Sequence, residues 1–98
     1  SGNAARMSVG FIGSTGGMTE TQANQLDWLL GHIEPTEVHH GDSRGADVQL
    51  HRIACSRGIT TIVHPSCDTT SRAFCEPYTR RFEPRESDVR NQDIADDS

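Results

Sequence analysis

The sequence of 98 residues has nine arginines and no lysine. Any anion that the protein holds is therefore expected to be held by arginine side chains or by backbone amides. The formal net charge is −5, and an acidic protein is poorly suited to nonspecific binding of nucleic acid, where phosphate contacts dominate the affinity. The charge balance thus argues against nucleic acid as a partner.

Long apolar runs and paired cysteines are also missing. No apolar segment approaches the ~20 residues that a membrane-spanning helix needs, and the sequence has no signal-peptide pattern. Cys55, Cys67 and Cys75 are odd in number and lack a close pair, which indicates reduced thiols in a cytoplasmic protein. Apolar residues make up only 33% of the chain, so we expect a partner surface to complete the core.

The length fits one domain. We interpret residues 1–6, "SGNAAR", as a tag or linker remnant and residues 7–98 as a single domain.

Hydrophobic patterns predict an α/β fold. Short apolar or β-branched runs predict strands at 8–12, 36–40 and 59–64, and helical periods predict helices from Thr19 to Pro35, over 44–57, and from Ser87 or Asp88 to the end. The segment 66–87 has no period and reads as a long loop with one helical turn at 72–75. The order β-α-β-α-β-loop-α predicts a three-layer, Rossmann-like parallel sheet with three strands per chain.

The first helix has a clear start and one apolar face. "TETQ" matches a capping box in which Thr19 caps the helix and Gln22 reaches back. Trp28 lies off the apolar stripe and is expected to be exposed or to face a partner. The stripe itself is predicted to consist of Ala23, Leu26, Leu29, Leu30 and Ile33.

Two glycine-rich turns, "GSTGGMT" and "HHGDSRGAD", follow the first two predicted strands. Because ligands collect beyond the carboxyl ends of parallel strands, both turns are expected at the binding edge of the sheet. Amides at helix N-termini and glycine turns attract phosphates, and Arg44 could add a bidentate contact. The turns therefore favour a nucleotide or sugar-phosphate site, although strand-to-helix turns also use glycine for purely structural reasons.

Several segments together resemble a known family. "GSTGGMTETQ", "HHGDSRGADVQLHRIACSRGI", "HP" at residues 64–65, "RAFC" at 72–75 and "RNQDIADDS" resemble a small bacterial and phage branch of the SLOG superfamily. These Rossmann-like domains are related to LOG-type nucleoside-monophosphate phosphoribohydrolases and to the DNA-processing protein A domain. The resemblance covers nearly all of residues 9–98 and implies a nucleotide derivative bound at the crevice of the first two loops.

The turns and the resemblance define the predicted site. The LOG enzymes carry a "PGG-x-GT-x-x-E" loop with a catalytic glutamate, whereas this chain has "GDSRGAD". Asp42 and Asp47 are therefore the candidate catalytic acids, and either could instead have a structural role. The resemblance also implies that Asp93, in the last predicted helix, is a site residue. The predicted ligand-binding residues are Gly13, Ser14, Thr15, Gly16, Gly17, Gly41, Asp42, Ser43, Arg44, Gly45, Asp47, Arg90 and Asn91.

The resulting hypothesis is binding, as sensing or sequestration, of a nucleotide or nucleoside-phosphate derivative. One alternative is a phosphoribohydrolase-like N-glycosidase, and another is a protein interaction module without a ligand. Family domains continue into a further strand, whereas this chain stops at Ser98. The first strand is therefore expected to be an open edge that pairs with a second copy in a homodimer.

Other chemistry receives less support from the sequence. His39, His40, Asp42, His51, His64 and Cys67 are metal-capable types. His39 and His40 point to opposite faces of a strand, so hydrogen-bonded imidazoles are favoured over a metal site. No cofactor is expected, except a divalent ion carried by ligand phosphates. Cys75, near Arg72, is the candidate nucleophilic thiol, and the arginines at 72, 80, 81 and 85 are expected to be solvated.

Overall fold

A computed structural model of the protein describes residues 7–98; residues 1–6, the predicted tag or linker remnant, lie outside the described residues. The elements in chain order are β1 (Ser8–Gly10), α1 (Glu20–Ile33), β2 (Glu37–His40), α2 (Ala46–Ser56), β3 (Thr60–Val63), β4 (Arg80–Arg81) and α3 (Ser87–Asp97). Within residues 7–98, no helix has the length and apolar character required to cross a membrane.

The four strands form one parallel sheet in the order β1-β2-β3-β4. In its register, Val38 of β2 lies between Val9 of β1 and Thr61 of β3. The predicted parallel α/β sheet is confirmed, but the prediction of three strands is wrong because Arg80–Arg81 pair beside β3. A strand of two arginines is too short to show a hydrophobic period.

The two faces of the sheet are covered by different helices. Side chains alternate along β2, so Val38 and His40 face one side while Glu37 and His39 face the other. On the first side α1 and α2 bury the apolar core, and on the second side α3 packs on β1 and β2. The core consists of Leu30, Val38, Leu50 and Ala54, with Val9, Phe11, Leu26, Ile53 and Ile59 packed against it.

The bounds of α1 follow from its caps. The Thr19 hydroxyl accepts a hydrogen bond from the Gln22 amide at 3.1 Å, and the Gln22 side chain accepts one from the Thr19 amide at 2.9 Å, as the capping box predicts. Glu34 ends the helix in a left-handed conformation with φ 53°, one residue before Pro35. The predicted apolar stripe is wrong for Leu29, which is 42% exposed, whereas Leu30 is fully buried.

The predicted helical turn at 72–75 is also wrong. Arg72 instead forms an antiparallel bridge with Ser43, and Phe74 has a positive φ of 54°. The Ala73 amide donates to the Asp42 carbonyl at 2.7 Å. The segment is therefore held by contacts with the loop after β2, which local sequence patterns do not report.

We expect Thr19→Ala to lower the free energy of unfolding by about 1 kcal/mol, because it leaves the Gln22 amide without its capping acceptor. Urea unfolding followed by circular dichroism measures the change. Thr21→Ala, an exposed threonine in the same helical turn, is the matched control and should change stability by much less. Equal losses for the two variants would contradict the role of the capping box.

Candidate functional site

A polar cleft of about 270 Å³ lies where β1 and β2 end and α3 begins. It is bounded by the loops after β1, β2 and β3 and by the first turns of α3. Its lining residues are Phe11, Ile12, Gly13, Thr15, Gly41, Ser43, Asp47, Asp68, Ser71, Ser87, Arg90, Asn91 and Ile94. This is the carboxyl edge of the parallel sheet, where α/β folds commonly bind ligands.

Many of the predicted ligand-binding residues meet in this cleft. Those that line it are Gly13, Thr15, Gly41, Ser43, Asp47, Arg90 and Asn91. Those that do not line it are Ser14, Gly16, Gly17, Asp42, Arg44 and Gly45. Asp68 and Ser71 were missed because the segment after β3 showed no period, although the topology rule that located the first two loops applies equally to a third.

The first two loops are in direct contact with each other. The Ser14 carbonyl accepts the Ala46 amide at 3.0 Å, so the first loop satisfies an amide at the start of α2. Gly45 has φ +88°, and a Cβ there would collide with the Thr15 carbonyl. The α3 side of these loops, rather than a gap between them, therefore offers space for a ligand.

Asp47 is the buried acid of the cleft, with 3% of its surface exposed. Its Oδ2 accepts the Gly41 amide at 3.2 Å and the Ser43 amide at 3.0 Å. Its Oδ1 is buried and makes no hydrogen bond of normal geometry with the described residues. Burial raises the pKa of Asp47, and the neighbouring amides and the Arg90 guanidinium oppose this shift only in part.

Arg90 reaches under the cleft from α3. Its Nη1 donates to the Gly41 carbonyl and, at 3.4 Å, to the His64 carbonyl. Its Nε is buried and has no partner among the described residues. A Cβ on residue 41 would collide with the Arg90 guanidinium, so glycine at this position makes room for the arginine.

Asp42 faces away from the cleft, so a catalytic role for this acid does not fit the geometry. Its Oδ2 accepts Arg72 Nε at 3.0 Å, and its Oδ1 accepts the Cys75 amide at 2.7 Å. The carboxylate is 1% exposed and fixes the 72–75 segment to the loop after β2. Breaking one side of such a buried pair typically costs about 3–5 kcal/mol, so Asp42 is a structural residue.

Arg44 and Asp93 lie on the surface. Arg44 is exposed, and its backbone amide donates to the Ser71 carbonyl at 2.9 Å. Its charge helps to lower the pKa of Asp68, after the hydrogen bonds that Thr70 makes to that carboxylate. Asp93 pairs with Arg85 at 3.2 Å, and such exposed pairs contribute little stability.

Two histidine pairs lie on opposite faces of the sheet. On the α2 side His40 Nε2 lies 2.9 Å from His51 Nδ1, and on the α3 side His39 Nδ1 lies 2.8 Å from His64 Nε2. Adding Cys75 to the first pair and Asp97 to the second gives two groups of metal-capable atoms within 4.8 Å of one another. Alternation along β2 was predicted correctly, but the partners, His64 just after β3 and His51 in α2, could not be read from it.

Three arginines of the 66–87 segment each contact a different aromatic ring. Arg72 stacks on Phe74 at 4.2 Å, and Arg80 stacks on Phe82 at 4.4 Å. Arg81 lies 5.7 Å from the Tyr78 ring. These cation–π contacts disperse the positive charge, so the arginines do not converge into one phosphate clamp.

A second, larger depression of about 510 Å³ lies on the outer surface of α1. It contains no charged residue and is lined by Thr21, Asn24, Gln25, Trp28 and Leu29. Small-molecule sites usually combine an enclosed cavity with a few polar groups that orient the ligand. The cleft beside Asp47 meets that description better.

Comparison with known proteins found no relative of this chain. No family model, curated protein or solved structure matches the chain. The resemblance to the SLOG superfamily therefore stays a prediction, and the cleft is interpreted from its own chemistry.

Cys75 is expected to be the least reactive of the three thiols. It is buried, and burial together with the nearby Asp42 carboxylate raises its pKa to about 12. The thiolate is the reactive form, so this environment argues against the predicted nucleophile. With iodoacetamide at pH 8, mass spectrometry should detect modification of exposed Cys67 first and of Cys75 only after denaturation. Native labelling of Cys75 as fast as Cys67 would contradict this assignment.

Proposed function

We propose that the cleft binds a ribosyl compound with at most one phosphate, such as a nucleoside or a nucleoside monophosphate. The observation that carries this proposal is a pair of buried atoms in residues that line one cleft. Asp47 Oδ1, an acceptor, makes no hydrogen bond of normal geometry, and Arg90 Nε, a donor, has no partner among the described residues. Each unpaired buried group costs about 1–3 kcal/mol. A ligand that supplies a hydroxyl donor and an acceptor recovers part of that cost.

The size and charge of the cleft limit the ligand. Its volume of about 270 Å³ lies just below the usual range of roughly 300–1,000 Å³ for small-molecule sites. Two carboxylates, Asp47 and Asp68, line it beside the single guanidinium of Arg90. This charge balance disfavours a polyphosphate unless a divalent ion accompanies it. The carboxylate and hydroxyl side chains of the cleft can instead form hydrogen bonds with the hydroxyl groups of a sugar.

Binding without turnover is the primary proposal, and N-glycoside hydrolysis is the second candidate. The observation that favours hydrolysis is the raised pKa of buried Asp47, because a carboxyl group that keeps its proton closer to neutral pH can act as a general acid. Against it, Oδ2 of Asp47 already accepts two backbone amides. That arrangement serves to hold the carboxylate in place.

We expect a nucleoside or nucleoside monophosphate to raise the thermal stability of the protein, by about 2.7 kcal/mol at a hundredfold excess over the dissociation constant. The panel contains nucleosides, nucleoside monophosphates and ribose 5-phosphate, each with Mg²⁺ or with EDTA. Asn91→Ala should weaken binding by about tenfold, because the amide lines the cleft. Gln92→Ala, on the same helix but outside the cleft, should bind like the parent protein.

Two results decide between the candidates. Free base released by the parent protein, and not by Asp47→Asn, would establish the N-glycosidase instead of a binding protein. The absence of a shift with every compound, or equal binding by the Asn91 and Gln92 variants, would refute a ligand in this cleft and leave the interaction module.

We also propose that the β1 edge pairs with a second copy. β1 contacts only β2 in the sheet, carries no charged residue and is preceded by Met7, which is 46% exposed. Natural edge strands usually carry charges or covers that block such pairing. Since parallel sheets seldom leave an apolar edge free, a two-fold dimer is the simplest assembly.

Small-angle scattering should therefore give a radius of gyration well above the 12.9 Å of the single chain's Cα atoms. Met7→Lys places a charge beside the edge and should shift the population toward monomer. Leu29→Lys, at a similarly exposed apolar residue on α1, should not. A monomeric parent protein at high concentration would refute edge pairing.

A further inference from the structure

The buried imidazole pairs on the two faces of the sheet are each joined by one ring-nitrogen contact, but their other partners differ. On the α2 side the Asp42 amide donates to His40 Nδ1 at 3.0 Å, which leaves Nε2 of His40 to donate to His51 Nδ1. His51 Nε2 then donates to the Pro77 carbonyl at 2.6 Å. Every ring nitrogen has a partner with both rings neutral, and burial lowers the pKa of His40 to about 3. This relay needs no ion.

On the α3 side the pattern leaves two ring nitrogens facing each other. His39 Nε2 contacts the Glu37 carboxylate, which orients the ring and favours a proton on Nε2. The lone pair of His39 Nδ1 then points toward His64 Nε2, 2.8 Å away. The His64 ring is held by stacking on Phe82 at 4.6 Å. A proton on His64 Nε2 completes a hydrogen bond between the two rings, as in the His40–His51 pair, and a bound metal ion would replace that proton.

A carboxylate completes a ligand set at the same place. A carboxylate oxygen of Asp97, at the end of α3, one ring nitrogen of His39 and one of His64 all lie within 4.8 Å of one another. Tetrahedral coordination with Zn–N bonds of about 2.0–2.1 Å places ligand atoms about 3.3 Å apart. The His39 and His64 nitrogens would have to separate by about 0.5 Å. Because the ring centroids are 5.1 Å apart, the rings meet head-on, so both would also have to rotate for their lone pairs to converge on one ion.

The surroundings suit an ion better than an apolar contact. Glu37 and His39 are buried under α3, whose own buried residues are Arg90 and Ile94, so little apolar surface holds the helix to this face. A cavity of about 410 Å³, lined by Glu37, His39, Ile62, Arg80, Phe82 and Asp97, provides an entry path. Arg80, the cation in that cavity, is held over the Phe82 ring.

We propose that His39 Nδ1, His64 Nε2 and the Asp97 carboxylate bind a divalent transition-metal ion of the Zn²⁺ class. Two imidazoles and one carboxylate match the borderline preference of Zn²⁺, Co²⁺ and Ni²⁺ and do not match Mg²⁺ or Ca²⁺, which require oxygen ligands. Glu37 is the orienting carboxylate for His39. The fourth position opens to the cavity, and the ion ties the end of α3 to β2 and β3.

The test is a titration of metal-free protein with Zn²⁺ and Co²⁺. We expect one ion per chain by calorimetry, a thermal shift with Zn²⁺ and none with Mg²⁺, and the visible absorption bands of four-coordinate Co²⁺. Asp97→Asn should weaken Zn²⁺ binding by about tenfold or more. Asp96→Asn, which makes the same charge change at the adjacent residue, should leave it unchanged.

A buried-residue variant completes the test. His64→Gln should abolish Co²⁺ absorption, and circular dichroism verifies that the variant is folded. If the variant does not fold, the comparison of Asp97→Asn with Asp96→Asn decides the question. His51→Gln, on the opposite face, should retain the ion. Failure of the parent protein to bind Zn²⁺, or equal affinities for the Asp97 and Asp96 variants, would overturn the proposal. Asn91→Ala should bind Zn²⁺ normally, so this result is independent of the ribosyl ligand.

Discussion

The alternation of side chains along β2 is the constraint on which the rest of this structure depends. Val38 and His40 point toward α1 and α2, while Glu37 and His39 point toward α3. β2 is also buried on both faces and lies between two neighbours in the sheet. A register shift by one residue would exchange the two sets, placing a glutamate in the apolar core and a valine in the polar layer.

This arrangement gives the two faces unequal chemistry. One face carries an aliphatic core with a single closed histidine relay, and such a core supplies most of the stability of a small domain. The other face buries ionisable groups, whose desolvation opposes folding unless they have partners. These groups have partners within the chain, since Arg90 donates to the Gly41 carbonyl and His39 contacts Glu37 and His64. The proposed ribosyl ligand and the proposed metal ion would add further partners.

Local signals predicted the elements whose causes are local. The capping box at Thr19 and the proline at position 35 defined α1, and the β-branched run before His64 defined β3. The same signals failed for β4, which consists of two arginines, and for the 72–75 segment, which is held by Asp42. The topology rule placed Gly13, Gly41 and Asp47 at one edge of the sheet, and they line one cleft. The same rule could have located Asp68 and Ser71 as well.

The sequence by itself determined the class of fold, the order of the helices and the placement of His39 and His40 on opposite sides of β2, because these follow from periodicity along the chain. Only the tertiary structure decided which groups became partners. It turned Asp42 toward Arg72 and left Asp47 in the cleft, and it brought His64 and Asp97 to His39. The physical reason is that these pairings depend on distances between elements far apart in sequence, which are set by packing and not by any local preference.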